Sequence, residues 1–378
     1  MSIIKILQCG ALSPVHGGIE SFIYNNWRHL DKEKFKYDFL VTNKDRSVIY
    51  ENELRENNVR IYHEWVGRKK SILIHYIKLF NFFANHKYDV VVCNLLDLSN
   101  LDCLIIAWLF NVKIRIVHSH KALKFEKSGI IRNVLKKINQ VIVASLATHM
   151  FACSDDAGKW MFGNVWLKSI GVKSFVINNG IDTTRYKFNK KIRSSKRREL
   201  NLEDKIIIGH TGRLAYPKNQ MFIIDVFKEL CKIHLNLHLL LVGEGSLRSD
   251  IEMKIDSLNL TDKVTLLGER EDISDLLQAM DVFIFPSEWE GLGISLIEAE
   301  SVGLKCVISD NIPREAILTD NVSVLSLKEN IETWRKALEN NFLYERNDCS
   351  EVVRNKGYDA KTSSQKYQAI ILNSFYSK

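Results

Sequence analysis

The sequence is sparing with punctuation and with special motifs. It has four prolines in 378 residues, Pro14, Pro217, Pro286 and Pro313. Its seven cysteines, at 9, 93, 103, 153, 231, 306 and 349, are scattered and contain no C-x-x-C pair. No zinc site or other metal site is therefore expected. Their odd number, and the apolar runs around Cys9, Cys93, Cys153 and Cys306, point to buried free thiols in a reducing cytoplasm. No stretch of about 18 uncharged apolar residues occurs, so no membrane-spanning helix is expected. The start, "MSIIKILQCG", reads as a strand too short, and too soon followed by "SPVHGG", to be a signal peptide. There is no G-x-G-x-x-G, so NAD binding is not expected. No groove-reading or base-stacking module is visible, which argues against nucleic acid.

What is present is ordinary for a globular protein: 46% hydrophobic and 26% charged residues. The length suits two domains better than one core. The net charge of +8 is uneven. Residues 1–180 hold 25 Lys and Arg against 15 Asp and Glu, so the N-terminal half carries the whole excess. A basic half suggests an anionic partner: nucleic acid, an acidic lipid surface or a phosphorylated substrate.

Apolar, β-branched runs alternate with helical stretches along the chain. The strand candidates are 3–8, 37–42, 59–64, 88–94, 113–119, 149–154 and 174–179, then 206–212, 237–243, 264–268, 281–287, 304–310 and 322–326. This grammar predicts an α/β protein with parallel sheets covered on both faces, in two doubly wound domains. The first spans 1–182 and the second 204–360. Between them "TTRYKFNKKIRSSKRREL" reads as part of a basic linker over 183–203, and 361–378 reads as a C-terminal helix. Each proline falls in a loop soon after a strand candidate. Ligands of open α/β sheets bind outside the carboxyl ends of the strands, so two facing edges are expected to form a cleft.

Several motifs fall on those edges. Gly17-Gly18, after the first strand, lets backbone approach a ligand and opens a helix suited to an anion, although a tight turn explains it equally. His118 and His120 lie at the end of a strand and are expected on opposite faces; a cleft-facing member could orient a substrate hydroxyl. Arg213 and Lys218 follow the first strand of the second domain, a planar fork and a compact charge together suited to a diphosphate. Gly243 and Gly245 sit at a similar turn. In "SEWEGLGISLIEAE", Glu290 and Glu298 flank a helix start at Gly291-Leu292-Gly293, where free N–H groups and the helix dipole favour an anion. Eight residues at helical rise span about 12 Å, roughly a hexose-to-ribose distance across a pyrophosphate. Glu288 and Glu300 read as surface or packing residues.

Glu290-x7-Glu298 after "FIFPS", with "GRLAYPKN", "NNGID" and "GGIE", resembles the retaining glycosyltransferases of family 4, which have the GT-B fold of two Rossmann-like domains facing a central cleft. The resemblance spans nearly the whole chain. "RIVHSH" and "DNIPREA" further resemble members that build bacterial capsule or exopolysaccharide. It implies a metal-independent enzyme with no cofactor, moving sugar from a nucleotide-diphosphate sugar to a glycan or lipid-linked acceptor. It implies that Arg213 and Lys218 hold the donor diphosphate and that Gly17 and Gly18 close on the phosphates. The amides around Gly291, Leu292 and Gly293 would bind the anion, Glu298 the ribose, and Glu290 the transferred sugar. His118, or alternatively His120, would contact that sugar near the reaction centre. The family often has Phe where this chain has Leu292. The C-terminal helix commonly returns to the first domain in this fold. The other classes weighed are a non-catalytic partner subunit of the same fold and a sugar-nucleotide epimerase.

Two basic, apolar segments, 67–80 and 121–138, suit a core-packed helix with a solvated face, or peripheral contact with an anionic membrane. The expected location is the cytoplasm or the cytoplasmic face of the membrane.

Overall fold

In a computed structural model of the chain, the described residues are 3–10, 17–41, 48, 50–63, 71–120, 129–166 and 171–377. They divide into two compact units. One comprises 1–180 with 360–378, the other 181–359.

The first unit contains β1 (Ile4–Cys9), β2 (Phe35–Leu40), β3 (Arg60–Tyr62), β4 (Val90–Leu95), β5 (Ile114–Ser119), β6 (His149–Ala152) and β7 (Lys173–Val176). They pair in parallel in the order β3-β2-β1-β4-β5-β6-β7. The second contains β8 (Ile206–Thr211), β9 (Leu237–Val242), β10 (Val264–Leu266), β11 (Val282–Phe285), β12 (Lys305–Ser309) and β13 (Val322–Leu325), in the order β10-β9-β8-β11-β12-β13 and again parallel. The strand order reverses direction between β1 and β4 and between β8 and β11. At such a switch point neighbouring loops diverge and leave room for a ligand.

Both sheets are covered on both faces, which is why their strands read as continuous apolar runs. The two-residue period of a strand sorts their side chains. In the first unit Ile4, Ile6, Val90, Val92, Ile114 and Ile116 enter one core, and Leu7, Val91 and Val117 the other. In the second, Ile207, Leu240, Phe283 and Ile308 face one side, and Ile208, Leu239, Ile284 and Val307 the opposite one.

Helix Ala360–Tyr376 belongs to the first unit. Ser363 donates to the Asn178 carbonyl at 2.6 Å, Ser364 to that of Asn26 at 3.1 Å, and Gln368 to that of His29 at 3.0 Å. Tyr367 and Ile371 join the core under β1 and β5.

The segment expected as a linker is part of the second unit and includes a helix, Lys190–Glu199. Asn189 caps it, its side chain accepting from the N–H groups of Lys191 and Ile192. Its cations are structural. Arg193 donates to the carbonyls of Gln278, Ala279 and Met280, Arg197 to that of Ala279, and Arg346 to those of Leu277, Gln278 and Met280. Together they satisfy the carbonyls at the end of helix Ile273–Ala279, which have no partners within the helix. Arg193 and Arg197 also flank Asp281, at 2.5 and 3.0 Å, and Asp281 accepts the Ile207 N–H at 2.7 Å. A basic composition concealed a scaffold because sequence shows charge but not its partner.

Arg197→Ala should destabilise the second unit by about 2 kcal/mol, since it takes one of two guanidinium partners from the half-buried Asp281 carboxylate and leaves the Glu203 and Lys205 carbonyls without theirs. Exposed Arg198→Ala should leave it unchanged; urea unfolding of the two variants compares them directly.

Candidate active site

At the carboxyl edge of β8 the chain passes Gly212 and Arg213 and reaches Lys218 before helix Gln220–Cys231. Two glycines of the neighbouring loop make this course possible. A side chain at Gly243 would put Cβ 2.1 Å from the Gly212 carbonyl oxygen, and one at Gly245 would put it 2.3 Å from that of Leu214. The Gly243-x-Gly245 pair therefore serves close packing between the loops after β8 and β9. Gln220 donates to the Arg213 carbonyl at 2.9 Å, and Asn219 to that of Pro286 at 3.3 Å. The Glu288 N–H donates to Pro217 at 2.9 Å, joining the loop after β8 to the loop after β11.

This stitching brings Lys218 to Glu290. The ammonium lies 2.6 Å from Glu290 Oε1 and 4.9 Å from the centre of the Phe285 ring. Helix Ile294–Ser301 begins just beyond. Gly293 caps it at φ 91°, the left-handed region that favours glycine, and no side chain occupies the cap. Leu292 is buried in the core, Gly291 is half-buried, and Arg213 is exposed. The helix start fell where the sequence placed it.

Glu298 lies on the second turn and its Oε1 accepts the Tyr186 hydroxyl at 2.7 Å. Burial raises its pKa to about 7, against the Tyr186 hydrogen bond and the positive charges of Arg185 and Lys218, which hold it down. Lys218 thus acts on both carboxylates. Tyr186 escaped the sequence reading because it stands in the supposed linker, where nothing marks one tyrosine. Its carbonyl is fixed by Ser301 at 2.9 Å.

Glu288 is exposed, but Glu300 is fully buried. Its Oε1 accepts from the Leu318 N–H at 2.9 Å, the Thr319 N–H at 2.7 Å and the Thr319 hydroxyl at 2.8 Å. It fastens the loop after β12 to helix Ile294–Ser301. Burial raises its pKa to about 7.

In the first unit, residues 13–16 of the glycine motif lie outside the described residues, as do 67–70 and 121–128 of the two basic segments. Gly17 caps helix Gly18–Arg28 with extended backbone, and the Asn179 amide reaches the Gly18 carbonyl at 3.5 Å. This helix sets the Phe22 ring 4.9 Å from that of His118 and 5.4 Å from that of His120. The expectation that the two histidines face opposite ways is corrected. Residues two apart in a strand share a face, and the rings lie 3.9 Å apart. His118 is inside β5, fully buried. His120 is one residue past the strand end, and its Nε2 lies 2.9 Å from Asn94 Oδ1. Burial holds the His118 pKa well below the usual imidazole value, and that of His120 at about 3, so both rings are neutral. Among the described residues no group of three His, Cys, Asp or Glu side chains forms a metal site.

Two doubly wound parallel sheets define a GT-B architecture, and known proteins agree. Residues 192–356 match the family described as glycosyl transferases group 1. EpsF of Bacillus subtilis (strain 168), named as a glycosyltransferase, is 29% identical over 353 residues, 91% of this chain and 90% of that one. The Escherichia coli UDP-Gal:alpha-D-GlcNAc-diphosphoundecaprenol alpha-1,3-galactosyltransferase is 29% identical over 234 residues, 60% of this chain and 58% of that one. The fold matches Anabaena HepE, solved with UDP and glucose, at a TM-score of 0.72 and 17% identity, over 98% of this chain and 99% of that one. The chain is therefore similar to glycosyltransferases of the GT-B fold over nearly its whole length, and the match to glycosyl transferases group 1 falls on residues 192–356.

Glu300→Gln tests the buried acid. A carboxyl with a raised folded-state pKa contributes stability that is full below its unfolded value and is lost as pH rises through about 7. An amide does not ionise. Melting temperatures at pH 5, 6.5 and 8 should therefore shift in favour of the variant as pH rises; parallel curves would contradict the assignment.

Proposed function

We propose that the protein is a metal-independent, retaining enzyme that transfers a sugar from a nucleoside-diphosphate donor to a glycan or lipid-linked acceptor in bacterial surface polysaccharide synthesis. The observation that carries this is the convergence of Lys218, Glu290 and Glu298 beside an uncapped helix N-terminus at one sheet edge. Arg213 and Lys218 take the donor diphosphate, doing the charge neutralisation that a divalent ion does elsewhere, and the amides around Gly291–Gly293 complete the anion site. Glu298 accepts the ribose hydroxyls. Glu290 binds the transferred sugar, where its negative charge also favours the positive charge that develops at the anomeric carbon. As the sugar–phosphate bond breaks, charge grows on the leaving phosphate oxygen, at which fixed cations are aimed. That oxygen takes the acceptor's proton, and attack comes from the same face. Gly17 and Gly18 supply the first unit's backbone contact with the phosphates.

For the histidine that meets the sugar, position favours His120. Catalytic groups of parallel sheets stand at or beyond the carboxyl ends, whereas His118 is sealed within β5 behind Phe22 and Phe151. The lipid-linked class of acceptor is supported by the Escherichia coli relative, whose named acceptor is a diphosphoundecaprenol.

A membrane-borne acceptor suits the surface of the first unit. Helices Ile72–Asn85 and Ile130–Leu146 contain no aspartate or glutamate. They expose Leu73, Ile77, Phe80, Ile130, Ile131 and Leu135, with Ile130 at 85% of its full accessibility. Helix Asp102–Leu109 touches both and adds exposed Trp108 and Leu109. Exposed apolar side chains mixed with Lys78, Arg132 and Lys137 fit shallow insertion into an anionic bilayer. No described helix is long and apolar enough to cross one.

Two experiments test these readings. With the donor that most raises the melting temperature in a nucleotide-sugar screen, and membrane extract as acceptor, the protein should transfer sugar with retention and in the presence of chelator. Glu290→Ala should lower the rate at least about a hundred-fold, and Arg213→Ala should weaken donor binding. An epimerised donor without transfer, or binding without turnover, would favour the epimerase or the partner subunit. In flotation, the protein should rise with phosphatidylglycerol-containing vesicles but not with pure phosphatidylcholine, less so at high salt. Leu73→Glu with Ile131→Glu should abolish this; equal flotation of that variant would refute the surface.

A further inference from the structure

A line of buried polar side chains crosses the first unit from the C-terminal helix to His120. Tyr367, Gln8, Asn94 and His120 are each at least nine-tenths buried. Gln8 Nε2 donates to the Tyr367 hydroxyl at 3.3 Å, and Asn94 Nδ2 donates to Gln8 Oε1 at 2.9 Å. Asn94 Oδ1 then lies 2.9 Å from His120 Nε2. Gln8 and Asn94 stand in β1 and β4, strands otherwise apolar. An amide in such a place is costly unless it is hydrogen-bonded, and here each amide is used at both ends.

The chain of bonds has a direction, which one long backbone contact favours and the partners along the line, from Tyr367 onward, maintain. Asn94 Nδ2 also lies 3.5 Å from the Cys9 carbonyl, which can only accept. Reversing both amides would set Asn94 Oδ1 against that carbonyl, acceptor against acceptor. With Oδ1 facing the histidine, His120 Nε2 must carry the hydrogen. The ring is neutral, so Nδ1 is bare. Nδ1 is buried and has no hydrogen-bond partner. Among the described residues, the titratable ring against it is that of His118 in β5, itself neutral, and Phe22 of helix Gly18–Arg28 lies beside both.

We propose that Tyr367, Gln8 and Asn94 are positioning residues that hold His120 as the Nε2–H tautomer, presenting Nδ1 as an acceptor for a substrate hydroxyl. The role follows from chemistry: a bare buried imidazole nitrogen needs a donor, and a sugar hydroxyl is one. It gives the returning C-terminal helix a part in the site as well as in the core. The inference rests on the reading of His120 as the sugar contact, and its own readout is independent of activity.

The test uses the full chain with ¹⁵N-labelled histidine, the His120 signals being identified by their loss in His120→Ala. Between pH 6 and 8, His120 should show a protonated Nε2 and an unprotonated Nδ1. Tyr367→Phe preserves the packing of the ring, and Ser363, Ser364 and Gln368 still anchor the helix. With the relay's end removed, the His120 signals should move toward a mixture of tautomers. The transfer rate at saturating donor should fall about five-fold, the scale of one hydrogen bond, with donor KM within about two-fold. Asn94→Asp places a carboxylate on Nε2, which favours the imidazolium. Nδ1 should then gain a proton within the same pH range. A protonated Nδ1 in the wild type, or His120 signals unmoved in Tyr367→Phe, overturns the relay. Full transfer by His120→Ala, with the expected tautomer, overturns the sugar contact alone.

Discussion

The ion pair between Lys218 and Glu290, at 2.6 Å, is the interaction on which the second unit's site depends. These residues are 72 positions apart and meet because β8 and β11 are neighbours at the reversal of strand order. Adjacent parallel strands end on the same edge, so their loops emerge side by side. The loop after β8 is held down on one flank by the glycines after β9 and on the other by hydrogen bonds to Pro286 and Glu288. Each contact leaves Lys218 fewer positions. A long, flexible side chain becomes a fixed charge, and Glu298 feels that charge as well. A fixed cation is what electrostatic stabilisation of a leaving phosphate needs, since it does not have to reorganise as the charge develops.

The first unit solves a different problem. Its functional candidates are neutral histidines, kept so by burial rather than by charged neighbours. Neutral polar groups inside a core need partners, and the partners come from three distant parts of the chain, including a helix about 250 residues beyond His120 in sequence. The return of helix Ala360–Tyr376 is therefore tied to the hydrogen bonding of His120 as well as to burial of Tyr367 and Ile371.

Charge is put to separate uses. The basic stretch before β8 braces a helix end and the Asp281 carboxylate, so much of its charge is consumed within the fold. The cations of helices Ile72–Asn85 and Ile130–Leu146 accompany exposed apolar side chains with no acid among them. Net charge does not distinguish the two cases; the side chains around each cation do.

By itself the sequence determined the alternation of strands and helices, because a buried parallel strand must be a continuous apolar run. All thirteen strand candidates overlap observed strands. It also determined the helix start before Ile294, since a glycine just after a buried apolar strand leaves few alternatives. Polar residues inside apolar runs, Gln8 in "ILQC" and Asn94 in "VVCNLL", were a signal that passed unused. Tertiary structure alone decided which charges pair, that Tyr186 belongs to Glu298, that Glu300 is buried, and that Tyr367 reaches His120 through two amides. Those contacts join residues from about 18 to 359 positions apart. Local pattern carries period and propensity; it holds no record of which distant side chain will supply the missing donor or acceptor.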